Sequence, residues 1–404
     1  EVVSRVLEVY PDKWFGLLAY YEVMDPPSFP LHPRVIPFIT KDRLAWIDDE
    51  IREAGHRQME AWNEVAAQVA WYDYMYGANF YVVPRIFNHV MAENFRYAKA
   101  NNVVGTYTEM YHTVLDGPKP WLSARLQWNP DQDVDELLRE WYVRAVGPEA
   151  ADDLAAFYEL WEHFWTVRIK GSPWFEVAKG RTYMPFNDQG YVHLVTDEDI
   201  QESKRLLASV VAKAQTPQQK ARAALIQQSF EYCEASVLSY PRQIEAPQDE
   251  TAALALLTKV GETLEQRVKG ASKRHELVAS YAHPLLRFPL PDRIGRWSGW
   301  PTAEFAHLVR YMQEREPDGG PLTRQVEEWA RTPQPRQRRA FAELLLSVRD
   351  GQSLLTKAPS FEDPTETGRV WHKWIVSTGS IQRVEDVGLS QKVGPSSLLA
   401  RVSA

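Results

Sequence analysis

The chain has 404 residues, 44% of them hydrophobic and 25% charged, with a formal net charge of −8, so it is long enough for two or three domains with at least one sizeable core. The acidic balance, with no basic run beyond "PRQRRA" at 335–340, excludes a nucleic-acid footprint and an anionic membrane surface as partners, and no apolar run approaches the roughly 20 residues that span a bilayer. The single Cys233 excludes an internal disulfide framework and a thiol-rich metal site.

The informative excess is aromatic: 15 Trp and 18 Tyr bring the aromatic share to 12%. The opening "EVVSRVLEVYPDKW" sets Val2, Val3, Leu7 and Val9 at near-helical spacing before Pro11, which predicts a short helix packed on a preceding segment. It is neither a Met start nor a signal peptide, so any targeting segment is expected upstream, with a secreted or periplasmic address favoured over a cytoplasmic one.

Three segments then share one plan, an apolar run that ends in polar aromatic residues and leads into a loop: "WFGLLAYYEVMDPP", "VAAQVAWYDYMYG" and "NNVVGTYTEMYH". Between the first two, Leu44, Ile47, Ile51, Met59, Trp62 and Val65 recur at three- and four-residue steps, predicting an amphipathic helix with a phase break near Gly55. Between the second and third, "PRIFNHVMAENFRYAKANN" predicts a shorter helix stopped by Asn101 and Asn102. Strands alternating with helices imply parallel pairing. An eight-stranded barrel needs about 250 residues, so residues 1–130 are expected to be the last strands and helices of a (β/α)8 TIM-type barrel whose remainder precedes Glu1.

From residue 131 the pattern turns helical. Asp131 and Asp133 offer caps, Gly147 a stop and Pro148 a restart, giving a helical hairpin, with further helices expected at 197–214, 217–240, 247–283 and 321–349. The stretch 281–301 reads as a Pro- and Gly-broken connector, and 351–404 as short strands of an incomplete β-sandwich. The expected class is therefore α/β plus all-α, with domains at 1–130, 131–350 and 351–404.

In a barrel the loops after the strands converge on one face, so chemistry collects at strand C-termini. Period-two alternation places Tyr20 with Glu22, Trp71 with Asp73, and Tyr107 with Glu109 and Tyr111 on common faces, so each strand offers one carboxylate. Paired carboxylates are what glycoside hydrolysis requires, and flat aromatics beside them suit the apolar faces of sugar rings. The catalytic candidates are Asp73, Glu109 and Glu22, and the substrate-binding candidates are Tyr20, Tyr21, Trp71, Tyr72, Tyr74, Asn79, Tyr107, Tyr111, His112 and Trp121.

Plainer readings stand beside these. Asp73 has Arg85 and Arg34 as candidate ion-pair partners, Glu22 suits a salt bridge at a loop mouth, and Trp121 serves equally as a platform or as a pin for its loop. Arg34 either meets a uronate carboxylate or serves the surface, and His32 reads as a loop contact. Trp161, Phe164, Trp165, Trp174 and Phe175 lie at helical spacing and read as core. Histidines at ligand spacing, a glycine-rich phosphate cradle and a Gly-x-Ser-x-Gly elbow are all missing, so no metal and no cofactor is expected.

The runs "YPDKWFGLLAYYEVMDPP", "AWYDYMYG", "GTYTEMYH" and "PWLSARLQWNPDQDVDELLREWYVRAVGPEAADDLAAFY" resemble bacterial barrel proteins of domain of unknown function 4838, grouped by fold with glycoside hydrolases and nearest to α-glucuronidases. The resemblance covers about residues 1–290, and its most specific part is the Trp-Asn-Pro-Asp turn before a helix. It implies a carbohydrate-active barrel with a helical C-terminal domain, and it carries Asp73 and Glu109 over as functional positions, whereas Glu22 rests on strand geometry alone. The proton donor of related barrels sits on an earlier strand, so it is expected outside this chain. "PSFEDPTETGRVWHKW" also resembles the opening strands of a carbohydrate-binding β-sandwich. The function expected is that of a glycoside hydrolase acting on oligosaccharides or polysaccharides, uronic acid units among them, and the alternative is a non-catalytic carbohydrate-binding or scaffold protein.

Overall fold

Four short strands in parallel organise the N-terminal part of the computed structural model, which describes residues 1–77, 80–110, 113–186, 188–240, 244–280, 299–333, 335–351, 381–385 and 396–400. The described residues form two compact units, one of Glu1–Cys233 and one that takes in Glu234–Ser280 and the described residues from Gly299 onward. The architecture is mostly helical around a parallel sheet, an α/β region followed by helices.

In the first unit, helix α1 (Val2–Val9) leads to strand β1 (Phe15–Ala19), followed by β2 (Val35–Lys41), helix α2 (Asp49–Val65), β3 (Val69–Tyr74), helix α3 (Asn88–Ala100) and β4 (Val103–Glu109). The sheet order is β1-β2-β3-β4 with every pair parallel. Strand β2 is absent from the sequence expectation. Its alternation is sound, with Val35, Pro37 and Ile39 buried and Ile36 and Phe38 half-buried, but Pro37 and the prolines ahead of it mask the signal. The strand tolerates Pro37 because pairing with β3 begins only at Phe38, so the missing N–H interrupts no ladder on that side.

Helix α2 runs unbroken through Gly55, where the phase slips because the backbone passes so close to Trp46 that a Cβ would lie 2.6 Å from its Nε1. Asp48 caps the helix by accepting from the Ile51 N–H at 3.1 Å. Helices α2 and α3 cover one face of the sheet. There Trp71 is fully buried, donates to the Met59 sulfur at 3.2 Å and packs edge-on against Trp46.

Helix α4 (Lys119–Trp128) precedes the expected hairpin of α5 (Val134–Val146) and α6 (Pro148–His163). Asp133 caps α5, and Gly147, at φ 92, ends it in a conformation that favours glycine before Pro148 restarts the chain. Trp161, Phe164, Trp165 and Phe175 are 0% exposed, with Trp174 also buried, so the aromatic run is core. Helix α7 (Pro173–Glu176), α8 (Asp197–Lys213) and α9 (Pro217–Ser239) follow, the last two at the expected positions.

The second unit packs α10 (Glu250–Ser280), α11 (Thr302–Arg315), α12 (Pro321–Arg331) and α13 (Arg336–Arg349) around Leu257, Val260, Leu308, Met312, Val326 and Phe341. Helix α11 is not anticipated by the sequence reading, and the helix expected over 321–349 is two, divided at the Pro333–Pro335 segment, where proline cannot continue the hydrogen-bond ladder. Strands β5 (Ile381–Glu385) and β6 (Ser396–Ala400) pair antiparallel. The rest of 352–404, including the run that resembles a β-sandwich, lies outside the described residues. Among the described residues no helix is long and apolar enough to cross a membrane.

One ionic contact ties the α/β layer to the helical hairpin. Helix α3 lacks a side-chain cap of its own, and Glu162 of α6 supplies it by accepting from the His89 N–H at 2.7 Å. The same carboxylate meets His89 Nδ1 at 3.0 Å while Asp135 meets Nε2 at 3.1 Å. The hydrogen bond to Glu162 leads in lifting the imidazole to a pKa of about 9. A pKa raised by folding stabilises the protonated form, so this contribution is complete below the unfolded value of about 6.5 and is lost as pH rises through about 9. The urea midpoint is therefore expected to fall between these pH values, and His89→Gln to flatten that slope; an unchanged slope in the variant contradicts the assignment.

Candidate functional site

Register decides what the strand ends present. In β3 and β4 the aligned pairs are Tyr72 with Tyr107, Asp73 with Thr108, and Tyr74 with Glu109. Aligned residues of parallel strands point to the same side of a sheet, and consecutive residues to opposite sides. Tyr72, Tyr74, Tyr107 and Glu109 therefore share the face away from α2 and α3, whereas Trp71 and Asp73 face those helices.

On the open face the Tyr72 hydroxyl donates to Glu109 Oε2 at 2.8 Å, and the Tyr72 and Tyr107 rings stack with centroids 4.7 Å apart. Tyr107 is 55% exposed. Beyond Tyr72 lie Tyr74, at 5.5 Å, and then Tyr183, 5.4 Å from Tyr74, whose hydroxyl is 3.3 Å from that of Tyr21. The Tyr20 hydroxyl bonds to those of Tyr21 and Tyr74, and burial raises its pKa, as it does that of Tyr74, so both remain neutral phenols. Tyr21 adopts φ 47, a left-handed conformation that is strained for a bulky side chain. Among the described residues Glu109 makes no ion pair.

The other face holds a buried ionic frame. Asp73, 5% exposed, accepts from the backbone N–H groups of Arg43 and Tyr74 at 3.1 and 2.8 Å and pairs with the Arg43 guanidinium at 3.4 Å. Burial pushes the Asp73 carboxyl up, against the pull of Arg43, and burial likewise lowers Arg43 to a pKa of about 10. Arg43 also lies 3.8 Å over the Trp71 ring. Beside it Arg85 grips both oxygens of Asp42 at 2.7 Å, and Lys119 pairs with Asp116 at 3.2 Å. Lys119 is entirely buried, which lowers its pKa to about 8. Gly77 passes so close that a Cβ there would lie 1.5 Å from Asp116 Oδ1.

This geometry corrects several expectations. Asp73 and Glu109 do not meet, because they leave opposite faces of the sheet, and the partner of Asp73 is Arg43 rather than Arg85 or Arg34. Trp71 belongs to the core with Asp73. Strand β1 ends at Ala19, and Tyr21–Val23 form a 3-10 turn, so the alternation expected to link Tyr20 and Glu22 is broken and Glu22 stands exposed. Arg34 precedes β2, at the end of the sheet remote from the tyrosines, where it donates to the Asp12 carbonyl and covers the Trp14 ring. Trp121 is half-buried on α4 beneath the Arg125 guanidinium. Asn79, Tyr111 and His112 lie outside the described residues.

Of the predicted binders, Tyr20, Tyr21, Tyr72, Tyr74 and Tyr107 come together, with Glu109 as their carboxylate. Sequence reasoning missed Tyr183 and Phe186, which arrive from residues 180–186, more than a hundred positions downstream of β3. The only signal there is the aromatic and Pro content of "GRTYMPF" outside any helical pattern. Two clefts, of about 400 and 350 Å³, lie away from the tyrosines, one beside Trp46, His56 and Tyr97 and the other beside Val104, Gln127 and Trp128. Among the described residues no three His, Cys, Asp or Glu side chains converge as metal ligands would.

The parallel strands, the helices that cover one face, α5 and most of α6 fall within a stretch that comparison recognises: residues 1–159 match the family described as Domain of unknown function (DUF4838). No curated protein and no solved structure matches the chain.

The frame yields a stability prediction. Arg85→Met leaves the Asp42 charge buried without its guanidinium partner, and is expected to cost about 3–5 kcal/mol in urea unfolding; a loss below about 1 kcal/mol contradicts the structural role given to the pair.

Proposed function

We propose that the tyrosine face at the strand ends binds carbohydrate. The observation that supports this best is the Tyr72–Glu109 hydrogen bond beside the exposed, stacked Tyr107 ring. A flat apolar ring face and a carboxylate with an oxygen to spare match the two surfaces of a sugar, its C–H face and its hydroxyls. The neighbouring phenols add directional donors and acceptors without charge. With Arg34 at the far end of the sheet, the case for uronic acid units loses the cation on which it leaned.

Glycoside hydrolysis is the second reading, favoured by the presence of Glu109 itself. It needs two carboxylates on one face, about 5–5.5 Å apart for retention or 6.5–9.5 Å for inversion. Asp73 does not serve, so in a hydrolase Glu109 is one acid or base and its partner comes from another element. The architecture that fits this reading is part of a (β/α)8 barrel. Supporting it are the consecutive parallel order and the two edge strands whose apolar side chains stay uncovered, Leu18 at 45% and Val104 at 52% exposed. The antiparallel β5–β6 ladder is compatible with a β-sandwich at the C-terminus.

The experiment is calorimetric titration of the full chain with a glycan panel, run beside a reducing-sugar assay. Tyr107→Ala is expected to weaken binding roughly 2- to 10-fold through the lost stack. Glu109→Gln is expected to lower any hydrolysis by at least about 100-fold, while Asp73→Asn destabilises the fold without a selective effect on kcat. Failure of every glycan to bind overturns the carbohydrate reading.

A further inference from the structure

The tyrosines do not form a ring around a point. They form a row. Tyr107, Tyr72, Tyr74 and Tyr183 follow one another in centroid steps of 4.7, 5.5 and 5.4 Å, from the β4 edge of the sheet toward the β1 edge. The first step crosses from β4 to β3, the second runs along β3 to Tyr74, which is 6% exposed, and the third leaves the sheet for residues 180–186. Glu109 bonds to Tyr72 and aligns with Tyr74, and the Tyr21–Tyr183 hydroxyl pair stands at the end remote from Tyr107.

We infer that the ligand is an oligosaccharide lying across the strand ends, and that Tyr183 with Tyr21 fixes its distal end. This rests on the carbohydrate reading above and adds to it the shape of the ligand and the residues that select it. A sugar ring covers about the area of one phenol ring, so a monosaccharide stacked on Tyr107 leaves the Tyr183 end of the row untouched. Both hydroxyls also bond to that of Tyr20, and a phenol oxygen with two lone pairs can accept from a sugar hydroxyl in addition to a neighbouring phenol.

Two features separate this pair from ordinary packing. First, Tyr183 is held on both sides by backbone bonds: Asp42 N–H donates to the Thr182 carbonyl at 2.7 Å and the Met184 N–H donates to Asp42 Oδ2 at 3.3 Å. Lys41 Nζ also bonds the Arg181 carbonyl. The residue is thereby fastened to the ionic frame, yet its ring is only half-buried and its hydroxyl meets an exposed partner. Second, that partner is Tyr21, 58% exposed and at positive φ, a strain for which burial of the ring gives no compensation. Rigid placement of an exposed hydroxyl lowers the ordering cost of binding.

The test uses the full chain and gluco-, xylo- and galacturono-oligosaccharides of one to four units, titrated by calorimetry. For a glycan that binds, affinity is expected to rise with length in the wild type. Tyr183→Phe and Tyr21→Phe, which remove a hydroxyl and leave the ring, are expected to lower affinity for the tetrasaccharide roughly 5- to 10-fold, as loss of one hydrogen bond does, with the monosaccharide unaffected. Tyr107→Ala, at the other end, lowers both. Affinity indifferent to length, or an equal loss at every length in Tyr183→Phe, overturns the inference and leaves the carbohydrate reading standing. Absence of binding to every length overturns both.

Discussion

Three cations and three carboxylates sealed behind the strand ends set the shape of the N-terminal unit. A strand that stops leaves backbone carbonyls without ladder partners, and a buried carbonyl must find a donor. Here the donors are side chains: Arg85 serves the carbonyls of Tyr74 and Tyr76, Lys119 serves those of Tyr76 and Arg85, and Arg43 serves those of Ile39, Lys41 and Tyr72. Asp42, Asp73 and Asp116 balance the charge. Such pairs add little net stability over an apolar core, because desolvation offsets most of the attraction. Their effect is directional. They oblige the chain after β2 and β3 to leave the sheet along one path, and Asp42 extends that control to residues 182–184 by bonding their backbone.

The frame divides the labour of β3 between its faces. Trp71 and Asp73 are spent on the interior, one packing under Arg43 and the other pairing with it, which leaves Tyr72, half-buried, and Tyr74, buried against Tyr183, on the opposite face. A carboxylate among tyrosines in sequence is therefore two structures superimposed with period two: a buried salt bridge on the odd positions and an aromatic shelf on the even ones. The shelf is rigid because the opposite side of the same backbone is locked.

Much of this was legible in the sequence. The strands β1, β3 and β4 were visible because each is an apolar run punctuated by turn residues, and the α5–α6 hairpin because Asp133, Gly147 and Pro148 mark its ends. Strand β2 was not, since Pro37 reads as a breaker until its one-sided pairing is known. For the site, alternation within one strand correctly grouped Tyr107 with Glu109, but relating β3 to β4 requires register, a property of two strands that neither encodes alone. Asp73 went astray for that reason. Tyr183 was beyond reach because a loop after α7 is placed by its backbone bonds to Asp42, and nothing in its local pattern announces them.

Amide hydrogen exchange of the full chain with and without a saturating oligosaccharide tests the central claim most directly, because it reports which surface the ligand covers. The tyrosine-shelf account predicts added protection in peptides covering Tyr20–Val23, the end of β4 and residues 181–186, with none in the α2–α3 layer. Protection confined to the cleft beside Trp46, His56 and Tyr97, or no change at the strand ends, would contradict it.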